Sequence, residues 1–111
     1  MTKAKIKVKV PRQIKFASIT YSLCLDKNLE KDGNWGNHTG RKQELLVNPT
    51  MTDEQRMVTL LHEVIHSSKT VWGTHLTEGD TDRVANCIAV LLDALGVELD
   101  WSDIPVRELE L

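Results

Sequence analysis

The sequence predicts an α+β fold in which a small antiparallel sheet precedes two packed helices. Apolar residues alternate with polar ones in the first half of the chain and recur at three- and four-residue steps in the second half. Turn-forming residues separate these runs, and no internal repeat is present. Because the chain has 111 residues, 41% of them hydrophobic, we expect residues 1–111 to form a single domain around one core.

Strands are predicted wherever apolar side chains occupy every second position. This pattern covers residues 6–10 and 19–25, and each run is expected to bury one face. Pro11 separates the two runs, since proline cannot donate a ladder hydrogen bond. Residues 26–40 are rich in Asn, Asp and Gly and predict a turn, and residues 41–48 predict a further short strand.

Helical spacing begins after residue 50. Thr52 and Gln55 form a capping-box pattern, which predicts a helix over 53–70. Thr77 is the expected cap of a second helix over 78–95, followed by Gly96. The second helix is expected to face the core through Val84, Ile88, Leu91 and Leu95.

The cysteines and the C-terminal tail are expected to be structural. Cys24 and Cys87 are too few for a disulfide framework, and neither has a Cys or His at zinc-ligand spacing. Both are predicted to be small buried apolar residues. Trp72 and Trp101 are expected in the core or an interface, and the tail over 97–111 is expected to dock as a short turn or helix.

The charge distribution makes nucleic acid an unlikely partner. The formal net charge is −2, although lysines crowd the first 15 residues and acids dominate from residue 78. The lysine-rich start predicts a solvated edge strand, with a polyanion contact as the alternative. The chain shows neither a signal-peptide pattern nor an apolar run of membrane-spanning length, so we expect a cytoplasmic protein without a membrane partner.

The strongest chemical signal is an H-E-x-x-H motif at His62, Glu63 and His66, inside the first predicted helix. Residues four apart lie one turn apart on one helix face, so the two imidazoles can converge on one zinc ion. Glu63 is then expected beside the open coordination position, as general base towards a zinc-activated water. The alternative is that both histidines are surface residues of an amphipathic helix.

A catalytic zinc site needs a third protein ligand, and the candidates are His75, Glu78, Asp80 and Asp82. The two helices are expected to be antiparallel, which places Asp82 opposite His66 and favours Asp82 as the ligand. Glu78, one turn earlier on the same face, is the alternative third ligand, or an acceptor for a histidine N–H.

The run Thr59–His66, followed by Asp82–Asn86, resembles the ImmA/IrrE-type zinc metallopeptidases. It is more closely similar to a compact, phage-like subgroup, over about residues 15 to 95. The resemblance implies a short sheet before the motif helix and an acidic third ligand from the next helix, at the position of Asp82. The family usually has Glu there, and this chain has Asp.

The motif and the resemblance predict a zinc metalloendopeptidase acting on a protein or peptide partner. A catalytically silent zinc-binding interaction module, such as a phage-type accessory protein, is the main alternative, and a DNA-associated factor is a third. The strand at 41–48 is expected to pair with an extended peptide. Trp35 and His38 are expected in a cleft wall or a flexible hairpin tip. No feature of the sequence indicates an oligomeric state.

Overall fold

The computed structural model of the protein describes residues 5–39 and 42–110, without the side chain of His38. A sheet is followed by two packed helices, which confirms the predicted α+β class. The helices are α1 (Asn28–Lys31), α2 (Asp53–Trp72) and α3 (Glu78–Ala94). The strands are β1 (Ile6–Lys9), β2 (Gln13–Phe16), β3 (Ile19–Asp26), β4 (Gly36–Thr39), β5 (Glu44–Val47), β6 (Val97–Asp100) and β7 (Val106–Arg107).

The main sheet has the strand order β2-β3-β5-β4, with β7 pairing the end of β3. The outer pairs β2–β3 and β4–β5 are antiparallel, whereas β5 and β7 run parallel to β3. The sheet is therefore mixed, and the expectation of a purely antiparallel sheet is wrong for these two pairs. The reason is β4, which lies inside the predicted turn region and reverses the chain, so that β5 returns in the direction of β3.

A second, two-stranded sheet joins the two ends of the chain. β1 pairs in parallel with β6, in the register Ile6 to Val97. The tail thus contributes the strands β6 and β7, and the expectation of a docked turn or helix there is wrong. Ile6 and Val8 are exposed and Val10 is buried, so the predicted buried face of this run is confirmed only at Val10.

The main core lies between the sheet and α2. The alternation predicted over 19–25 is confirmed, because Tyr21, Leu23 and Leu25 are all buried. Their neighbours on β5 include Leu45 and Val47, which are fully buried. This core packs the sheet against one face of α2. It thereby also determines which residues of α2 point away from the sheet.

The start and end of α2 follow from local sequence. Thr52 Oγ1 accepts from Gln55 N (3.2 Å), and Gln55 Oε1 accepts from Thr52 N (3.1 Å), so the predicted capping box is confirmed. The helix ends at Gly73, which adopts a left-handed conformation with φ 69°. The chain then turns, and Thr77 Oγ1 accepts from Asp80 N (3.0 Å) to cap α3.

The face that α3 buries is not the predicted one. Its buried residues are Thr81, Ala85 and Ala89, which are small and lie four residues apart. Small residues in one row let two helix backbones approach closely, and α2 and α3 pack together there. The predicted core stripe is wrong: Val84, Leu91 and Leu95 are 40%, 57% and 60% exposed, and Ile88 is half-buried.

Of the remaining predictions for single residues, some are confirmed and others are wrong. Both cysteines are free thiols, with Cys24 half-buried and Cys87 exposed, so the predicted burial is wrong for Cys87. Trp101 is buried as predicted, whereas Trp72 is exposed at the end of α2. Within the described ranges, no helix combines the length and apolar character needed to cross a membrane.

Candidate metal centre

His62 and His66 lie one turn apart on α2, where α2 meets α3. Their Nε2 atoms are 2.9 Å apart, and their rings meet edge to face with centroids 4.5 Å apart. Together with Glu63 they form a group whose ligand atoms could hold a metal ion. The four-residue spacing therefore brings the two imidazoles to one place, as the helical geometry requires.

Glu78 reaches the same place from the first turn of α3. Its Oε1 lies 2.8 Å from His62 Nε2, and its Oε2 lies 3.0 Å from His66 Nε2. Slight burial opposes ionisation, but hydrogen bonds from the two imidazoles outweigh it and lower the pKa of Glu78. The carboxylate thus spans both Nε2 atoms, even though its side chain is 74% exposed.

Asp82 lies on the other side of the His62 ring. Its Oδ1 is 3.6 Å from His62 Nδ1, which is an ion-pair distance and too long for a hydrogen bond. The structure thus places Glu78, and not Asp82, at the two Nε2 atoms. Asp82 as third ligand stays a prediction, and its position is that of a carboxylate that orients a metal-binding imidazole.

The other two candidates lie away from these contacts. The carboxylate of Asp80 accepts from Arg83 Nη2 (2.7 Å), one turn along α3. His75 is an exposed residue of the α2–α3 connection. Of the three acids at the start of α3, Glu78 contacts both Nε2 atoms and Asp82 lies beside the His62 ring. Asp80 pairs with Arg83 instead.

Glu63 is buried beneath the two histidines, with 5% of its surface exposed. Burial raises the pKa of its carboxyl group to about 7, against an opposing effect of His66. A carboxyl group with this pKa exchanges its proton near neutral pH, as a general base or acid requires. Burial alone does not identify such a role, but burial beside a metal-binding group is typical of catalytic carboxylates.

Gly36 on β4 lies directly against Glu63, a contact that sequence reasoning missed. A Cβ atom added at Gly36 would lie 2.5 Å from Thr59 Cγ2, 2.9 Å from Leu46 O and 3.2 Å from Glu63 Cγ. The edge strand can approach the motif helix this closely only because residue 36 has no side chain. The sequence signal was a glycine in the segment 26–40, which is predicted as a turn.

A cleft of about 810 Å³ opens over the two histidines. One wall is the edge strand with Trp35, Gly36 and Asn37, which makes Trp35 a wall residue. The floor is the motif face of α2, and the other wall is the start of α3 with Glu78 and Asp82. The cleft lies between a strand edge and a helix, and its volume is large enough for a short stretch of extended chain.

Comparison with protein-family models, curated proteins and solved structures found no match. Three features of this cleft bear on function, namely the paired imidazoles, the carboxylate of Glu78 and the buried carboxyl group of Glu63.

Proposed function

We propose that this protein is a zinc-dependent metallopeptidase that hydrolyses a peptide bond in a protein partner. The observation that carries the proposal is the meeting of His62, His66 and Glu78 at one point, directly above the buried Glu63. Two imidazole nitrogens, one carboxylate and a nearby buried acid are the groups that peptide hydrolysis at zinc requires.

The donor set fits zinc in chemistry and in size. Zinc bonds to histidine nitrogen and carboxylate oxygen of about 2.0–2.1 Å at tetrahedral angles place the donor atoms about 3.3 Å apart. Here the two Nε2 atoms are 2.9 Å apart, and Glu78 reaches them through different oxygens, Oε1 at 2.8 Å from His62 and Oε2 at 3.0 Å from His66. Each of these separations is slightly shorter than that, so a small opening of the group would accommodate the ion, with His62, His66 and Glu78 as the residues that would hold it.

Proton transfer and the orientation of the imidazole are carried out by side chains of this protein. Zinc in such a site supplies Lewis acidity towards a carbonyl oxygen and towards water. Glu63, buried beneath the two histidines, accepts the proton of the attacking water and returns it to the leaving amine. The negative charge of Asp82, beside Nδ1 of His62, favours the orientation of that imidazole that turns Nε2 towards the cleft.

The substrate is proposed to bind in extended form along β4, and not along β5. β5 lies between β3 and β4, so neither of its edges is open to a peptide, and the expectation for strand 41–48 is wrong in this respect. Asn48 N donates to Trp35 O, so by antiparallel alternation the backbone groups of Gly36 and His38 point away from β5. An extended peptide can add to this edge beside Glu63.

The resemblance to ImmA/IrrE-type metallopeptidases is part of the same proposal. It is supported by the order of the elements, in which a small sheet precedes the motif helix and the next helix brings acidic residues to the histidines. Glu78 then takes the place at the Nε2 atoms that the resemblance assigned to Asp82.

Two variants of α2 test the proposal. Zinc content is measured by mass spectrometry, and hydrolysis is followed on unfolded casein and a library of fluorogenic peptides. Glu63→Gln should keep one zinc per chain and lose activity by about 10²–10⁴-fold, because it removes the proton acceptor. His66→Ala should lose both.

Asp53→Asn is the matched control, since Asp53 is an exposed acid in the first turn of the same helix and should change neither quantity. Full hydrolysis by Glu63→Gln would refute the general-base role. Zinc retained by a wild-type protein that cleaves none of these substrates would favour the silent interaction module.

A further inference from the structure

A further cavity, of about 310 Å³, continues the cleft beyond the metal centre. It lies between the residue before β4, the first two turns of α2 and the start of α3. Its lining residues are Trp35, Glu54, Gln55, Val58, Asp82 and Asn86. Three of them, Trp35, Val58 and Asp82, also line the cleft, so the two spaces adjoin. We define this cavity as the side pocket.

The side pocket lies about one helical turn from the metal centre. Val58 precedes His62 by four residues on α2, which corresponds to a rise of about 6 Å. An extended chain advances about 3.3 Å per residue, so this rise matches about two residues of a bound peptide. Trp35 directly precedes Gly36, beside which the peptide is proposed to bind. The side pocket is therefore placed to receive a side chain close to the bond that is cut.

Two of the residues that line the side pocket are apolar. Trp35 is 53% exposed, and Val58 is half-buried. Methylene groups pack well on such surfaces, and the face of a tryptophan ring also attracts a cation. These two residues suit a long side chain that has an aliphatic stem and a positively charged end.

The charged residues of the side pocket are both acidic. Glu54 and Asp82 each bring a carboxylate, and no Lys, Arg or His of the described residues lines the pocket. Glu54 makes no hydrogen bond or ion pair with the part of the chain that the structure describes. Asn86 Nδ2 donates to Asp82 O (2.8 Å), which leaves Asn86 Oδ1 as a further acceptor. This set of acceptors complements a donor that carries positive charge.

We propose that the side pocket binds a Lys or Arg side chain of the substrate, within about two residues of the bond that is cut. The aliphatic stem packs on Trp35 and Val58, and the cationic end pairs with the carboxylate of Glu54. This inference rests on the proposed peptidase function, because that function places the peptide along β4. The substrate class is thus a protein segment with a basic residue beside the cleaved bond.

The preference for a basic residue applies to one side of the cleaved bond. Lys69 lines the cleft beyond His66, on the opposite side of the metal centre from Val58. Its positive charge opposes a Lys or Arg side chain of the substrate there. The two ends of the cleft therefore differ in the charge that they accept.

Two substitutions at neighbouring residues test the side pocket. Glu54→Lys reverses a charge inside it, and Asp53→Lys makes the same change at an exposed residue that does not line it. Both acids lie in the first turn of α2, so the effects on the helix dipole and on the net charge are matched. Both variants should bind zinc as the wild type does.

Peptide binding is measured by fluorescence anisotropy in the Glu63→Gln background, which should not cut the peptides. The probes are three labelled pools of short peptides, with Lys, norleucine or Glu at one central position and uncharged residues elsewhere. The Lys pool should bind about 10-fold more tightly than the norleucine pool, whose side chain is similar in length but uncharged. Adding Glu54→Lys should abolish this preference and favour the Glu pool, whereas adding Asp53→Lys should leave it unchanged.

Cleavage sites in unfolded casein, mapped by mass spectrometry, provide the second readout. The wild type and Asp53→Lys should cut beside Lys or Arg on one fixed side of the bond, and Glu54→Lys should lose this preference. Equal binding of the Lys and norleucine pools overturns the inference, as does binding of neither pool. A preference that survives Glu54→Lys, or that is lost equally in Asp53→Lys, also overturns it. Preferred binding of the Lys pool by a wild type that cuts no casein would refute the peptidase function and support the side pocket as a binding site.

Discussion

Glu78 lies 2.8 Å from His62, across the contact between the first turn of α3 and the motif helix. The same carboxylate reaches His66 at 3.0 Å, so one side chain of α3 ties together the two histidines of α2. The geometry of the candidate site thus depends on how α3 is placed against α2. Changes that move or remove Glu78 should therefore affect the site more than changes elsewhere on the surface.

The first prediction concerns the third ligand. Glu78→Ala should weaken zinc binding by at least about 100-fold, since it removes a carboxylate that touches both Nε2 atoms. Asp82→Ala should weaken it by about 10-fold, the effect of a residue that orients an imidazole without binding the ion. Competition with a chromophoric chelator measures both affinities.

Asp80→Ala is the control for this comparison, because Asp80 lies in the same acidic turn but pairs with Arg83. It should bind zinc as tightly as the wild type. The reverse order, with a large loss in Asp82→Ala and a small one in Glu78→Ala, would restore Asp82 as the ligand.

The fold was predictable from the sequence wherever a pattern depends on one element alone. The capping box at Thr52, the alternation over 19–25 and both long helices appear as expected. The errors concern relations between elements. Parallel pairing of β5 with β3 depends on β4, and the pairing of β1 with β6 joins residues some 90 positions apart, which no local pattern encodes.

The site was predictable in part for the same reason. His62, Glu63 and His66 share one helix, so their spacing alone brings them together. Which of Glu78 and Asp82 lies at the Nε2 atoms depends on the position of α3 along the axis of α2. The row of small residues Thr81, Ala85 and Ala89 sets that position, whereas the apolar spacing of the sequence predicts a buried face made of the larger residues.

The second prediction compares two helix caps. Thr77→Ala and Thr52→Ala each remove a side-chain acceptor at a helix start, and each should cost about 1 kcal/mol of unfolding free energy. Only Thr77→Ala should also weaken zinc binding, because Thr77 caps the turn that carries Glu78. Urea unfolding and zinc titration of both variants check this.

Equal zinc affinity in the two cap variants would contradict the dependence of the site on the first turn of α3. A loss of zinc affinity in Thr52→Ala would instead indicate a general response to lower stability, since Thr52 lies about four turns from His66 along α2.

The third prediction concerns the contact between Gly36 and the motif helix. Gly36→Ala should lower the unfolding free energy by about 1–3 kcal/mol, because the new Cβ meets Thr59 and the backbone oxygen of Leu46 at once. Zinc should still bind, whereas hydrolysis should fall because Glu63 is displaced. Gly79→Ala is the control, since its Cβ would meet only the flexible end of Arg83 and alanine favours a helix.

The last prediction concerns the pH dependence of thiol reactivity. Burial raises the pKa of Cys24, and the nearby Arg107 offsets this only in part. Because the thiolate is the reactive form, alkylation of Cys24 in Cys87→Ser should still be increasing at pH 9. The rate of iodoacetamide labelling, followed by mass spectrometry from pH 7 to 10, measures this, and a plateau below pH 8.5 would contradict it. Arg107→Gln should slow labelling at each pH below 10, since it removes the cation that opposes the rise.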